Sequence, residues 1–368
     1  MAEEKKLTGN KGEWSEVYTL LKLLGDNKVY AGDSNLKKIT EIVYPILSIL
    51  RNENGKDITY NIVDKKIDVI LNSKVTSVLA SDFLNKSNEL LLEIKKQPKT
   101  FSVPSVQSFL DKIHCRSLKA KSTVKSDITI KIHDFRTGLT PILGFSIKSD
   151  LGEAPTLFNS NKSTNFSYSI NNITLSPSEI DAINSMVLQR GSKTIQNVRG
   201  RLQSLINKGA IISFSDVKKN KFKNNLMMID SNLPNILASS IYKYFTSNLS
   251  KSTELIHFLE QDNPLNFDLS LSHPFYSYKY KRFLNDVALG MLPSKIWTGE
   301  FDATGGYLIV REDGEVICYH IYNRNEFEDY LFKNTKFETP SASKHDFGYI
   351  YVENNQLYID LNLQIRFL

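Results

Sequence analysis

Strand-like and helix-like apolar patterns alternate along this chain and predict a mixed α/β fold. Ile128, Ile130 and Ile132 alternate with Thr129, Lys131 and His133, the period of a half-buried strand. Trp14, Val17, Leu20, Leu21 and Leu24 recur instead at helical spacing. The turn pairs Asp313-Gly314 and Asn354-Asn355 sit between apolar runs near the carboxyl end and predict β-hairpins. With 368 residues, 41% of them hydrophobic and 23% charged, the chain can bury a large core and form two domains.

In chain order, GEWSEVYTLLKLLG reads as a helix stopped by Gly25, with Glu13 and Glu16 three residues apart on one side. YPILSILRNENGKDITYNIVDKKIDVIL reads as short strands around an Asn-Gly turn, and VTSVLASDFLNKSNELLLEIKK as one long helical pattern. Pro104 opens a further helix that ends near His114. After the Ile128 strand, Gly138 and Pro141 bracket a turn, and the more apolar run ILGFSIK fits a central strand covered on both faces. TNFSYSI is a further strand, while SPSEIDAINSMVLQR and SKTIQNVRGRLQSLINKG read as capped helices. Beyond them come the basic run KKNKFK and the helices PNILASSIYKYFTSNLS and YKYKRFLNDVALGML. The hairpins GGYLIVREDGEVICYHIY and YIYVENNQLYIDLNLQIRF complete the chain. A boundary near residue 215 divides it into 1–215, the amino-terminal helices and core, and 216–368, a helical and hairpin region.

Several classes are disfavoured. Cys115 and Cys318 form no CxxC or Cys/His cluster, so neither a disulfide framework nor a zinc site is suggested, and a reducing cytoplasm fits. The amino terminus has no apolar signal core, and no run reaches the roughly 18 apolar residues of a membrane span. No GxxxxGK[ST] loop is present, so a nucleotide cofactor is not indicated. The net charge of +6 is compatible with a polyanionic partner but says little alone.

One stretch carries chemistry. In SDITIKIHDFRTGLTPILGFSIKSD, Asp127 opens one strand and Lys148 closes the next. Carboxylates holding Mg²⁺ beside a lysine supply what phosphodiester hydrolysis needs, neutralised phosphate charge and an activated water. Such sites carry a second acid two residues before the lysine, on the same strand face, and here that position is Ser146. Taken alone, the pair fits a packed hairpin better than a metal site. The missing carboxylate can come from the first helix, from Glu16 or its neighbour Glu13. Asp150 and Asp134 read as turn and strand-end residues, and His320 as a packed strand histidine.

A wider set of blocks changes the balance. GEWSEVYTLLKLL, the SD…GFSIKSDLG stretch, PTLFNSNKSTNF, TGGYLIV, CYHIYNRNEFEDYLF and LNLQIRF, in this order over nearly the whole chain, resemble the HpaII-type type II restriction endonucleases. That family resembles a branch of the PD-(D/E)xK nucleases. The resemblance implies a restriction-endonuclease-like core, a mixed β-sheet flanked by helices, and Mg²⁺-dependent cleavage of double-stranded DNA at a short palindrome, CCGG for the family's namesake. It matches Asp127 to the first acid of the motif, Lys148 to its lysine and Glu16 to the helix acid, with Ser146 in the place of the second acid. That departure leaves the number of metal ions open, and keeps a catalytically silent DNA-binding protein as the rival expectation.

A palindrome calls for a two-fold homodimer. The donors Asn161, Lys162, Ser163, Thr164 and Asn165, directly after the catalytic strand, are expected to contact DNA. Base-reading side chains are sought among Arg199, Arg201, Arg324, Lys344 and His345.

Overall fold

The computed structural model describes residues 6–53, 55–97, 99–119 and 126–368, and its fold is the expected mixed α/β one. It divides into two compact units, each built from two stretches of chain: 1–155 with 301–330, and 156–300 with 331–368. The boundary expected near residue 215 falls inside a strand of the second unit.

The first unit begins with α1 (Lys11–Asp26), β1 (Lys28–Gly32), β2 (Lys38–Glu53), β3 (Lys56–Val63), β4 (Lys66–Leu71) and β5 (Lys74–Leu79). It continues with α2 (Ala80–Lys96), α3 (Pro104–Lys112), β6 (Ile128–Ile132) and β7 (Ile142–Ser149). The second unit follows with β8 (Thr156–Phe158), β9 (Asn165–Asn171), α4 (Pro177–Asn184), β10 (Val187–Arg190), β11 (Lys193–Gln196) and α5 (Val198–Asn207). Next are β12 (Ile211–Val217), α6 (Asn220–Ile229), α7 (Leu233–Thr246), α8 (Ser252–Asp262) and α9 (Phe275–Leu289). β13 (Gly306–Val310) and β14 (Val316–His320) belong to the first unit, and α10 (Arg324–Lys333) runs across the division. β15 (Thr335–Phe337), α11 (Ala342–His345), β16 (Ile350–Glu353), β17 (Gln356–Asn362) and β18 (Ile365–Phe367) return to the second.

The first unit is organised on a nine-stranded sheet ordered β1-β14-β13-β7-β6-β2-β3-β4-β5. β13 runs parallel to β7 and β1 parallel to β14, while the other pairings are antiparallel. The hairpin around Asp313-Gly314 is therefore part of this sheet, although more than 150 residues separate it from β7. β7, flanked by β6 and β13, is the central strand that its apolar composition predicts. In the second unit, β12-β9-β17-β16 form a four-stranded sheet. Its β16–β17 turn uses Asn354 and Asn355 at φ 49° and 59°, both left-handed as a tight hairpin requires.

α1 presents Trp14, Val17, Leu20, Leu21 and Leu24 to the core, and all five are fully buried. Each such side chain contributes roughly 1.5–3 kcal/mol of burial free energy. Gly25 does not stop the helix, which runs to Asp26 and is capped by Asn27 at φ 58°. Gly25 instead lets α2 approach: a Cβ there would lie 2.8 Å from the backbone nitrogen of Leu84.

Two other expectations change. Lys74–Leu79 is a strand paired with β4, so the long helical pattern starts only at Ala80. The helix after Ser176 ends at Asn184, and residues 187–196 form the β10–β11 hairpin before α5 begins. Tyr276 and Tyr280 are buried one helical turn apart in α9, whereas Tyr278 is exposed. The expected Asn-Gly turn is described only at Gly55, φ 85°, because Asn54 lies outside the described residues. Among the described residues no helix is long and apolar enough to cross a membrane, and both cysteines are buried and free.

Candidate active site

β6 and β7 separate where the candidate site begins. Their pairing ends at Ile128 opposite Phe145, and β7 continues through Ser146 to Ser149 beside β13. Asp127 stands immediately before β6, its N–H donating to the Phe145 carbonyl at 2.8 Å. Its carboxylate then takes the place of the missing strand. Oδ2 accepts from the Ile147 N–H at 2.7 Å and from the Ser146 hydroxyl at 3.0 Å. Both bonds land on one oxygen. Gly144 permits the close packing that precedes Asp127, since a Cβ there would meet the Ser126 side chain at 2.8 Å.

The period of two puts Ser146 and Lys148 on one face of β7. Tyr307 on β13 is paired with Ser146, and its ring lies 5.3 Å from the Lys148 Nζ. Lys148 is half-buried, and burial holds its ammonium below the usual lysine range, against the opposing pull of Asp127 and then Glu16.

α1 brings in the second acid. Ser15 is buried and its hydroxyl is 2.8 Å from that of Ser149, which sets α1 against the end of β7. The next residue, Glu16, is half-buried and pushed up to about 8, first by desolvation and then by the Asp127 charge, with Lys119 and Arg51 pulling the other way. Asp127 thus acts on both Glu16 and Lys148, and Glu16 acts on Lys148. The structure brings these three expected residues and Ser146 into one electrostatic neighbourhood.

Glu13 does a different job. One oxygen accepts from the Asn10 N–H at 2.9 Å, completing a reciprocal capping box, and the other lies 3.4 Å from the Lys119 ammonium. The pattern Asn10…Glu13 is itself a helix-start signature, so the sequence holds a signal that tells the two acids apart. Tyr307 had no such signal, because its register beside β7 is set by nonlocal pairing.

The residues suit a hard divalent cation. Two carboxylates and a hydroxyl are oxygen donors, and desolvation leaves Glu16 resisting ionisation without a compensating charge. Among the described residues no cluster of three or more His, Cys, Asp or Glu could hold a metal. A hard divalent cation held by few carboxylates keeps several waters and leans on substrate phosphates.

The expected DNA loop is largely engaged with its own unit. Asn165 Nδ2 donates to the carbonyls of His345 and Asp346, and Asn362 Nδ2 donates to the Asn161 carbonyl and Asn165 Oδ1. Thr164 is buried, and the Asn161 side chain accepts from the Ser163 N–H. Lys162 is exposed and paired with Asp346 at 2.8 Å, an ion pair that an anionic partner can displace. Arg201, a candidate base reader, is fully buried and bonds the carbonyls of Gly348, Asn184 and Met186 and the Gln196 side chain. Arg199 donates to the Ser247 carbonyl, Arg324 pairs with Glu328, and His345 bonds Ser160, while Lys344 is exposed. His320 is the packed strand histidine expected, stacked on Tyr44 and pushed down to about 4 by burial.

The mixed α/β fold, with an acid at one strand start, a lysine on its neighbour and an acid on the packed helix, is consistent with a nuclease-like protein. The family described as HpaII restriction endonuclease matches residues 10–367. The type II restriction enzyme HpaII of Haemophilus parainfluenzae is 48% identical over 365 residues, 98% of this chain and 99% of that protein. The chain therefore belongs to the HpaII restriction endonuclease family and is a type II site-specific deoxyribonuclease. No solved structure matches it.

Proposed function

We propose that this enzyme is a homodimer that cleaves double-stranded DNA at the palindrome CCGG with Mg²⁺, through Asp127, Glu16, Lys148 and Ser146. The observation that carries the site is geometric: at the open end of β7 the Asp127 carboxylate bonds Ser146 and the Ile147 N–H, and Ser15, next to Glu16 on α1, bonds Ser149 of the same strand. Asp127 and Glu16 would hold the cation, and Ser146 would orient the Asp127 carboxylate through its 3.0 Å bond. When bound, the metal would supply neutralisation of phosphate charge. Lys148, its proton loosened by burial, holds a nonbridging oxygen or polarises the attacking water. Tyr307 supports its ammonium from the ring face.

CCGG is taken from the resemblance to the family's namesake, and the homodimer from the two-fold symmetry of any palindrome. Within the loop after β8, Lys162 and Ser163 are the groups offered to DNA, while Asn161, Thr164 and Asn165 hold its shape. Digestion of unmethylated plasmid with Mg²⁺, with EDTA, and with Asp127→Ala tests the proposal, followed by sequencing of the ends. A discrete ladder with CCGG ends, abolished by both controls, is expected. Cutting that survives EDTA or Asp127→Ala, or ends at another sequence, would overturn the metal, the site or the CCGG assignment respectively.

A further inference from the structure

The β10–β11 hairpin stands apart from every other sheet of its unit. Residues 187–195 are exposed throughout, including Val187, Leu188 and Ile195 at 45%, 48% and 38%. An isolated two-stranded ribbon is marginal in water, so something must hold this one. Its root is clamped by the buried Arg201, whose guanidinium bonds the carbonyls of Asn184 and Met186 and the Gln196 side chain. Asn197 closes the same end, donating its N–H to the Met186 carbonyl at 3.1 Å and capping α5 with its side chain. The ribbon is therefore held outward by a buried anchor.

Its tip is electrostatically unfavourable by itself. Gly191, φ 60°, and Ser192 form a two-residue turn that sets Arg190 directly opposite Lys193. Like charges facing each other across a hairpin destabilise it. From Ala182 to Ser215 the chain contains no Asp or Glu, so no local acid relieves them. The same face carries the exposed Leu188–Ile195 pair, while Gln189 and Thr194 bond each other at 2.9 Å on the opposite face.

We infer that the β10–β11 ribbon is a DNA-contacting arm of this enzyme, which lays Arg190 and Lys193 against the phosphates lining a groove of the duplex. A two-stranded ribbon fits the major groove, and the polyanion turns the repulsion at the tip into two favourable contacts. The arm rests on the reading of the chain as a DNA-cleaving enzyme but not on the assignment of Asp127, Glu16 or Lys148.

The test compares the wild type, the double variant Arg190→Ala/Lys193→Ala and its charge-conserving partner Arg190→Lys/Lys193→Arg. Each is titrated with a CCGG duplex in Ca²⁺ over a salt series, and its thermal melting is recorded. The alanine variant is expected to melt like the wild type and bind at least about 10-fold more weakly at 100 mM salt. Its log K against log salt should be shallower by up to about 2, near 0.9 for each phosphate no longer neutralised, and the charge-conserving variant should restore most of both. Unchanged affinity and slope in the alanine variant would overturn the arm while leaving the cleavage reading standing. Asp127→Ala separates the two, since it is expected to abolish cutting and keep the wild-type salt slope.

Discussion

Glu16→Gln removes a carboxyl whose ionisation the fold resists, since burial and the Asp127 charge push it from 4.5 to about 8. A carboxyl raised in the folded state binds its proton more tightly there than in the unfolded chain. Its stabilising contribution is therefore complete below pH 4.5 and is lost as pH rises to about 8. At about 1.4 kcal/mol per pH unit, this range corresponds to a loss of up to about 5 kcal/mol in the metal-free protein. Glutamine is neutral at every pH and escapes that loss. Urea denaturation in EDTA at pH 5, 6.5 and 8.5 should show the variant gaining steadily on the wild type as pH rises. Mg²⁺ should then restore wild-type stability at pH 8.5 and leave the variant unmoved, because the cation binds the ionised pair. Cleavage should be lost in the variant with DNA binding retained. Parallel pH dependences in the two proteins would refute the reasoning.

Other substitutions separate the roles of neighbouring residues. Glu13→Ala should cost about 1 kcal/mol in urea denaturation through loss of the capping box, with cleavage within about twofold of the wild type. Ser146→Ala removes a hydrogen bond to a charged oxygen, worth about 1.5–3 kcal/mol, so single-turnover cleavage should fall roughly 10–100-fold. Gly25→Ala forces a methyl into the Leu84 backbone and should destabilise by about 1–3 kcal/mol in a thermal melt, with activity unchanged below the transition.

Local pattern made much of this molecule legible. The apolar stripe of α1, the alternation of β6 and the Asn354-Asn355 turn each report a structure decided within a few residues. The adjacent antiparallel strands beside Asp127 and Lys148 were legible too, but the pair alone fitted a packed hairpin, and its catalytic reading came from the resemblance of blocks spread along the chain. The β10–β11 ribbon was harder: Ile195, Val198, Leu202 and Leu205 follow helical spacing, and that pattern runs across the strand end into α5. The contrary signal was the Gly191-Ser192 pair between short β-prone runs. Gly25 carries the composition of a helix stop, yet serves a close approach to α2 that no local pattern encodes. The same holds for β13, whose place beside β7 brings Tyr307 to Lys148 from more than 150 residues away.

Single-turnover cleavage of a CCGG duplex by Lys148→Met, with binding measured on the same preparation, tests the central claim most directly. If Lys148 works with Asp127 and Glu16 on the scissile phosphate, the rate should fall by at least about 10²–10³ while the dissociation constant stays within about threefold. Cleavage within tenfold of the wild type, at equal binding, would place the chemistry elsewhere in the chain.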